Sequence, residues 1–165
     1  MPKVELHVHL EGSMRPALLL ELARRHGVTL PADDEGGLKR WFRFKSFEHF
    51  VEVYLTCSRC LRDAEDFYLL ARDFLAEQAS QNVAWSEVHF TISTHLANGC
   101  DGEAVRGALD QAIGEAERDL GVSMKLIPDI VRNIGLASAD ATIEWALADR
   151  TGRVAAIGLA GIENG

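Results

Sequence analysis

The segment that most constrains this chain lies near its amino terminus, where the sequence runs Lys-Val-Glu-Leu-His-Val-His-Leu-Glu-Gly-Ser from Lys3 to Ser13. Apolar and polar residues alternate there: Val4, Leu6 and Val8 with Glu5, His7 and His9. This period of two predicts a β-strand whose two imidazoles emerge on one face, with their Cα atoms about 7 Å apart. The spacing predicts a metal-binding pair. Two histidines on a partly buried strand, without a metal, are the alternative.

The residues after this strand predict a loop and then a helix. Glu11 and Gly12 begin the loop, Pro16 suits the first helical position, and Ser13 is the predicted N-cap. Barrels of parallel strands carry their chemistry at the carboxyl ends of the strands. In such a barrel the two histidines and Glu11 would lie at the catalytic end.

The rest of the chain alternates between helical and strand patterns. Helical periodicity predicts helices at about 16–26, 46–55, 64–81, 101–120 and 138–148, with Asp63 and Ser138 as N-caps and Gly27 ending the first. Further strands are predicted at 83–90, 122–130 and 154–160, the last buried on both faces. Segments 29–37 and 93–99 are predicted loops. Strand–helix units in this order predict an α/β fold that is half of a (β/α)8 TIM barrel.

Charge and composition exclude several classes of partner. The 165 residues carry a formal net charge of −8 and are 47% hydrophobic, which argues against nucleic acid or an anionic membrane as a partner. No stretch approaches the roughly 18 apolar residues of a membrane span, and the amino terminus lacks the apolar region of a secretory signal. A cytoplasmic protein is therefore expected.

Several residues of reactive types are expected to be structural. Cys57 and Cys60 form a CxxC pattern inside a predicted helix without a redox context, so buried helix cysteines are expected. Asp129 and Arg132 are expected to pair with each other or with loop backbone. A polar rim without metal roles is expected from the residues that end the second strand: Glu87, His89, Thr91 and His95.

The opening segment, Pro2–Ser13, resembles the beginning of the adenosine deaminase family of the amidohydrolase superfamily. The resemblance continues through four later segments: Ala17–Ala23, Phe44–Phe50, Gln81–Val88 and Gly158–Gly161. Members of that family are about twice as long. The resemblance therefore implies that residues 1–165 form the N-terminal half of one (β/α)8 barrel domain, with a helical insertion at about 29–62 that caps the pocket.

The resemblance also implies an activity and a set of site residues. It implies one Zn²⁺ per site, bound in part by His7 and His9, and a zinc-activated water that attacks C6 of a 6-aminopurine and releases ammonia. His9, Glu11 and Gly161 match positions near the substrate, the last through its backbone. The third histidine ligand, the aspartate ligand and the catalytic glutamate of the family are expected beyond Gly165. One or two of three aromatic residues of the insertion are expected to wall the purine site: Phe44, Phe47 and Phe50.

Two departures from the family pattern bear on the substrate. Glu11 stands where classical adenosine deaminases often have aspartate, and Ile162-Glu163 follows Gly161 where the adenosine-specific pattern continues with Asp-Glu. The main expectation is a 6-aminopurine nucleoside or a related compound. The second departure weakens the assignment to adenosine, and the run Phe-Arg-Phe-Lys-Ser-Phe-Glu-His-Phe from Phe42 to Phe50 favours a compound resembling aminodeoxyfutalosine. Adenine is the alternative substrate.

Two further interpretations remain. Another amidohydrolase with two metals is disfavoured, because the fourth strand ends in Gly161 rather than in a bridging lysine or carboxylate. The second is an inactive half-barrel, because the chain lacks many of the catalytic groups. The unpaired edges of its first and fourth strands would also favour association with other chains.

Overall fold

A computed structural model describes residues 1–161 and contains a four-stranded parallel sheet with the strand order β1-β2-β3-β4. The strands are β1 (Lys3–His9), β2 (Val83–Phe90), β3 (Ser123–Val131) and β4 (Gly158–Ala160). Each is hydrogen-bonded in parallel to the next in sequence. This connectivity is that of a half-barrel, as predicted. Residues 162–165, which carry the departure from the Asp-Glu pattern, lie outside the described residues.

Seven helices and one 3-10 turn connect these strands within residues 1–161. The 3-10 turn is Glu11–Ser13, and the helices are α1 (Pro16–His26), α2 (Glu35–Trp41), α3 (Phe47–Arg59), α4 (Ala64–Ser80), α5 (Ile92–Ala97), α6 (Gly102–Asp119) and α7 (Leu136–Leu147). None of the helices in this part of the chain is long and apolar enough to cross a membrane.

Helix α4 lies between β1 and β2 in the chain and forms the centre of the hydrophobic core. Its Phe67 and Leu70 are fully buried, and the ring of Phe67 packs edge-on against Phe90 of β2, with the ring centroids 5.9 Å apart. Apolar side chains from one face of β2 pack in this core against apolar side chains of α4 and α6. The opposite face of the sheet therefore remains for polar side chains.

Capping residues fix the ends of the long helices as predicted. Gly27 ends α1 with a left-handed φ of 65°. Asp63 caps α4, and its carboxylate accepts a hydrogen bond from Asp66 N while the Asp66 carboxylate accepts one from Asp63 N, a complete capping box. Asp101 is an N-cap that the sequence did not predict, and its carboxylate accepts from Glu103 N and Ala104 N at the start of α6.

Two predicted N-caps are wrong. Helix α1 begins after Arg15, and the hydroxyl of Ser13 donates to Leu10 O instead of capping the helix. Helix α7 begins after Gly135, two residues before Ser138. Neither observed N-cap residue has a side-chain capping hydrogen bond, because the Arg15 guanidinium has no acceptor atom and Gly135 has no side chain.

Two predicted loops contain helices. Helix α2 begins inside the predicted loop at 29–37, since the Asp34 carboxylate accepts from Gly37 N over 2.6 Å and closes the first turn. The glycines of this turn hide the helical pattern. Helix α5 replaces most of the predicted loop at 93–99, and its His95 side chain is fully buried against Phe67 and Phe90 rather than exposed at a polar rim.

The fourth strand is shorter and more exposed than predicted. Only Gly158–Ala160 pairs continuously with β3, while Val154 forms an isolated bridge to Leu126. Leu159 is 59% exposed, and at the other edge of the sheet Val4 and Leu6 are 64% and 57% exposed. The prediction that strand four is buried on both faces is wrong for Leu159, because β4 lies at a sheet edge in the described part of the chain.

The CxxC cysteines are structural, as expected. Cys57 and Cys60 are buried free thiols at the end of α3. Burial raises the pKa of Cys57 to about 12 and that of Cys60 to about 11. Both thiols therefore stay protonated near neutral pH, the form that neither attacks disulfides nor binds metals.

Asp66 joins α1 to α4 through a buried carboxylate, which gives a test of the fold. The carboxylate has no exposed surface and accepts hydrogen bonds from Arg62 N, Asp63 N and His26 Nε2. An Asp66→Asn substitution keeps the shape but replaces one acceptor oxygen with an amide donor. We expect it to lower the free energy of unfolding by about 1–3 kcal/mol, measured by urea denaturation.

The neighbouring Glu65→Gln substitution is the matched control. Glu65 forms an ion pair with Arg25, but its side chain is 67% exposed, so we expect a loss below about 1 kcal/mol. Equal losses in the two variants would show that the buried carboxylate has no special role.

Candidate metal centre

The carboxyl ends of β1 and β2 bring three imidazoles together. The Cα of His9 pairs with that of His89 in the parallel ladder, so the two side chains leave the sheet on the same face. His7 lies two residues earlier on that face. One ring nitrogen from each of His7, His9 and His89 lies within 4.8 Å of the other two. The predicted pair is therefore part of a cluster that includes a residue expected to have no metal role.

The buried carboxylate of Asp129 lies beneath two of these imidazoles. Its Oδ1 is 2.8 Å from His89 Nδ1, and its Oδ2 is 3.5 Å from His9 Nδ1. Asp129 therefore pairs with His89, and the predicted pairing of Asp129 with Arg132 is wrong. The guanidinium of Arg132 donates to Gly161 O over 3.2 Å, which confirms the alternative prediction of a loop-backbone partner for that residue.

The electrostatic surroundings favour a neutral imidazole at His9. Burial lowers its pKa, and the opposing attraction of the Asp129 and Glu11 carboxylates does not overcome that effect. Neutral imidazole is the form that binds a metal ion. His9 is therefore in the protonation state that metal binding requires at neutral pH.

Gly158 of β4 makes room for the His89–Asp129 pair. A Cβ atom at this position would overlap Asp129 Oδ1 and lie 3.0 Å from His89 Nδ1. The Cα atoms of Gly158 and Asp129 are partners in the ladder between β3 and β4. The pair therefore depends on a residue without a side chain on the adjacent strand.

Glu11 is fully buried directly after the histidine strand. Its Oε1 accepts hydrogen bonds from Thr91 N over 2.8 Å and from His95 Nε2 over 3.1 Å, and these bonds join the end of β1 to the start of α5. Burial alone would raise the pKa of Glu11, but these hydrogen bonds and the attraction of His95 lower it overall. Its predicted contact with a substrate stays a prediction.

Tyr54 of α3 connects the helical insertion to this strand end. Its hydroxyl lies 2.9 Å from Thr91 Oγ1, and its ring lies edge-on to His9 with 6.0 Å between the centroids. Burial and the nearby Glu11 carboxylate raise the pKa of Tyr54 far above its usual range. Tyr54 is therefore a neutral hydroxyl group beside the imidazole cluster.

A row of aromatic rings extends outward from Tyr54. Phe50 lies 6.4 Å from Tyr54, and Phe47 and Phe44 lie 6.0 and 5.2 Å from Phe50, all between ring centroids. Phe44 and Phe47 are more than half exposed. The rings predicted to wall a purine site thus form one continuous row that ends at His9.

Gly161, the other predicted substrate residue, follows β4 at the same end of the sheet. Its φ of 96° is one that residues with a side chain rarely adopt, and a Cβ there would lie 2.6 Å from Asn133 Oδ1. Conformation and space therefore both require glycine at this position. Its predicted contact with a purine stays a prediction.

The three imidazoles fit a divalent metal such as zinc, while a second cluster does not. Imidazole nitrogen is a preferred zinc ligand, and the carboxylate behind His89 and His9 is the usual partner of a ligating histidine. His26, Asp63 and Asp66 also lie close together. There Asp66 Oδ2 already accepts from two backbone amides and from His26, and Asp66 Oδ1 accepts from the Arg25 guanidinium, so both oxygens are engaged.

Comparison with known proteins identifies relatives over the whole chain. The adenine deaminase of Chlorobium phaeobacteroides (strain BS1) is 33% identical over 165 residues, which are 100% of this chain and 49% of that relative. The crystal structure of adenine deaminase from Arthrobacter aurescens matches with a TM-score of 0.86 and 30% identity, over 98% of this chain and 49% of that one. The chain thus spans about half the length of the relatives it matches.

A second solved structure carries a metal. An amidohydrolase from Burkholderia ambifaria, crystallised with bound Zn, matches with a TM-score of 0.87 and 27% identity, over 99% of this chain and 45% of that one. The four strands and their helices correspond to the first half of a TIM barrel in these structures. The family model described as Adenosine deaminase matches residues 2–165, and this chain therefore belongs to the adenosine deaminase family.

Proposed function

We propose that this chain supplies the metal-binding half of a zinc-dependent hydrolase that removes the amino group of adenine as ammonia. The observation that carries the proposal is the cluster of His7 and His9 at the carboxyl end of β1, within reach of a third imidazole. The catalytic ends of parallel barrels lie at this rim. The names of the relatives from Chlorobium and Arthrobacter support adenine, the alternative substrate, over adenosine or an aminodeoxyfutalosine-like nucleoside.

The chain's own residues have distinct tasks in this proposal. A zinc ion bound by His7 and His9 would lower the pKa of its water ligand and so supply the nucleophile. Asp129 Oδ2, a buried atom without a hydrogen-bond partner, lies 3.5 Å from His9 Nδ1, and a small shift of that ring would let it accept from Nδ1 and leave Nε2 free to bind. Burial keeps His9 neutral. The remaining ligands and the proton donor to the ring are expected beyond Gly165.

The insertion supports a flat, apolar substrate. Helices α2 and α3 occupy most of the predicted insertion at 29–62, and we infer that they cap the pocket. The aromatic row from Phe44 to Tyr54 ends beside His9, and aromatic faces stack well on purine rings. The backbone of Gly161 at the end of β4 allows close approach of the ring edge.

The burial of Glu11 supports a base rather than a nucleoside. A ribose brings hydroxyl groups that need polar partners. Glu11 was the acidic residue predicted near the substrate, but its carboxylate is fully buried and its Oε1 is engaged by Thr91 N and His95 Nε2. We infer that Glu11 positions the end of β1, because its carboxylate has no exposed surface through which a sugar hydroxyl could reach it.

A second candidate is a half-barrel that is inactive by itself. Large apolar side chains are exposed at both edges of the described sheet, including Val4 and Leu6 at one edge and Leu159 at the other. Leu136 and Leu147 of α7 are 84% and 80% exposed. Apolar surface of this extent normally lies in an interface. Catalysis would then require a second half that covers these edges.

Bound metal and ammonia release test both candidates. We expect the purified chain to bind zinc, measured by elemental analysis, and the protein that also contains the second half to release ammonia faster from adenine than from adenosine or aminodeoxyfutalosine. The His7→Asn/His9→Asn variant should lose both the metal and the turnover, because two of its ligands are gone. His49→Asn, outside the cluster, is the matched control.

Each other result has a defined meaning. Faster release from adenosine would contradict the choice of adenine. Bound metal without ammonia from any of the three compounds would support the inactive half-barrel. A wild-type chain that binds no metal would contradict the proposed metal centre.

The role of Glu11 is tested by separating stability from substrate binding. Glu11→Gln replaces one carboxylate oxygen of this fully buried side chain with an amide and removes the negative charge that lies 3.1 Å from His95 Nε2. We expect the free energy of unfolding to fall by about 1–3 kcal/mol, and the KM for adenine to stay unchanged. The exposed Glu52→Gln variant on α3 is the control. A raised KM with unchanged stability would instead support the predicted direct contact with substrate.

A further inference from the structure

We propose that His89 of β2 is a positioning residue of the metal centre, which holds the Asp129 carboxylate against the far nitrogen of His9 and does not itself bind the metal. This inference rests on the proposed function in taking His9 as a ligand, but metal affinity tests it without turnover. The coordination positions that His7 and His9 leave open then remain for water and for the ligands expected beyond Gly165.

The two oxygens of the Asp129 carboxylate face two different imidazoles. Oδ1 lies 2.8 Å from His89 Nδ1, and Oδ2 lies 3.5 Å from His9 Nδ1. Because a carboxylate only accepts, His89 donates through its Nδ1. This hydrogen bond fixes the rotation of the carboxylate about its Cβ–Cγ bond. It therefore also determines that Oδ2 faces His9.

The second oxygen of this carboxylate still lacks a donor. Asp129 Oδ2 is buried and has no hydrogen-bond partner among residues 1–161. A shift of the His9 ring by about 0.6 Å would bring Nδ1 to an ordinary hydrogen-bond distance. The proton of the neutral ring would then stay on Nδ1 and the lone pair on Nε2, which is how a carboxylate behind a ligating histidine fixes its tautomer.

The His89 ring also packs against the first predicted ligand. It stacks on His7 with 4.1 Å between the ring centroids and 29° between the ring planes, and it lies 5.0 Å from the ring of His9. A stacked ring presents its face, whereas metal binding uses a lone pair in the plane of the ring. We therefore infer that His89 supports the ligands of β1 by packing and through Asp129.

The surroundings leave little freedom to the pair of His89 and Asp129. Their side chains are 13% and 1% exposed. A Cβ atom at Gly158 would overlap Asp129 Oδ1 and lie 3.0 Å from His89 Nδ1, so the bare α-carbon of Gly158 leaves the space in which this hydrogen bond forms. A change at His89 should therefore reach the metal through the carboxylate.

Two substitutions of His89 separate positioning from metal binding. His89→Phe keeps a ring but cannot donate, whereas His89→Asn has no ring nitrogen but carries an amide N–H that can replace Nδ1 as the donor to Asp129. We expect His89→Phe to weaken zinc binding about 10–100-fold, and His89→Asn to recover most of this loss and bind within about fivefold of the wild type. Competition with a chromophoric chelator measures the affinities of the purified chains.

Asp129→Asn tests the carboxylate itself. Its amide has one acceptor oxygen for two imidazoles, so His9 Nδ1 loses the acceptor for its proton, and zinc binding should fall about 10–100-fold. Nitrogen NMR of the imidazole rings should show the proton on Nδ1 of His89 in the wild type. In the zinc-loaded wild type it should show the proton on Nδ1 of His9, and this form of His9 should be lost in Asp129→Asn.

His49→Phe is the matched control and should bind zinc as the wild type does, and circular dichroism shows whether each variant folds. Wild-type affinity in His89→Phe would overturn the proposal. Affinity in His89→Asn as low as in His89→Phe would also overturn it, because that result indicates a lost ligand. If His89→Phe does not fold, Asp129→Asn decides: wild-type affinity overturns the proposal, and a 10–100-fold loss supports it.

The outcomes also separate this inference from the proposed function. The expected order of zinc affinities without ammonia release from the protein that contains both halves would support the inference while the proposed function fails. Turnover of adenine together with wild-type zinc affinity in His89→Phe would do the reverse. A wild-type chain that binds no zinc would overturn the inference together with the proposed metal centre.

Discussion

The parallel register between β1 and β2 determines the arrangement of the site. Helices α1 to α4 all lie between β1 and β2 in the chain. Because the Cα of His9 nevertheless pairs with that of His89, the two strands place imidazoles on the same face and at the same level of the sheet. A shift of one residue would turn His89 into the helix-packed core and bring Val88 or Phe90 to the face that carries His7 and His9. The buried positions of Val88 and Phe90 resist such a shift, so the hydrophobic core and the site fix one another.

Buried carboxylates recur as connectors between elements that are distant in sequence. Asp66 joins α4 to α1, Glu11 joins the end of β1 to α5, and Asp129 joins β3 to the histidines of β1 and β2. A carboxylate without partners would be costly to bury, and each of these accepts at least one hydrogen bond from a distant element. The polar groups at the strand ends are therefore part of the structure as well as candidates for chemistry.

The sequence predicted the elements that local pattern determines and missed those that depend on distant residues. The histidine strand and the helices α1, α4 and α6 have clear periodicity, and Gly27 and Asp63 mark the end of α1 and the start of α4. The predicted bounds of these elements therefore agree closely with the structure. The six-residue helix α5 is too short for a periodic signal, and the exposure of β4 depends on its edge position. The His89–Asp129 pair spans 40 residues of sequence and arises from the register of three strands, which no local pattern encodes.

The bare α-carbon of Gly158 makes the choice of residue on β4 conditional on the residue chosen on β3. A side chain at position 158 would occupy the volume that the carboxylate of Asp129 now fills, so substitutions at the two positions should be strongly non-additive. A larger residue at position 158 is tolerable only after a smaller residue replaces Asp129, and that replacement removes the partner of His89. Replacement of Gly158 in this order would therefore pass through a variant in which His89 has lost its carboxylate partner.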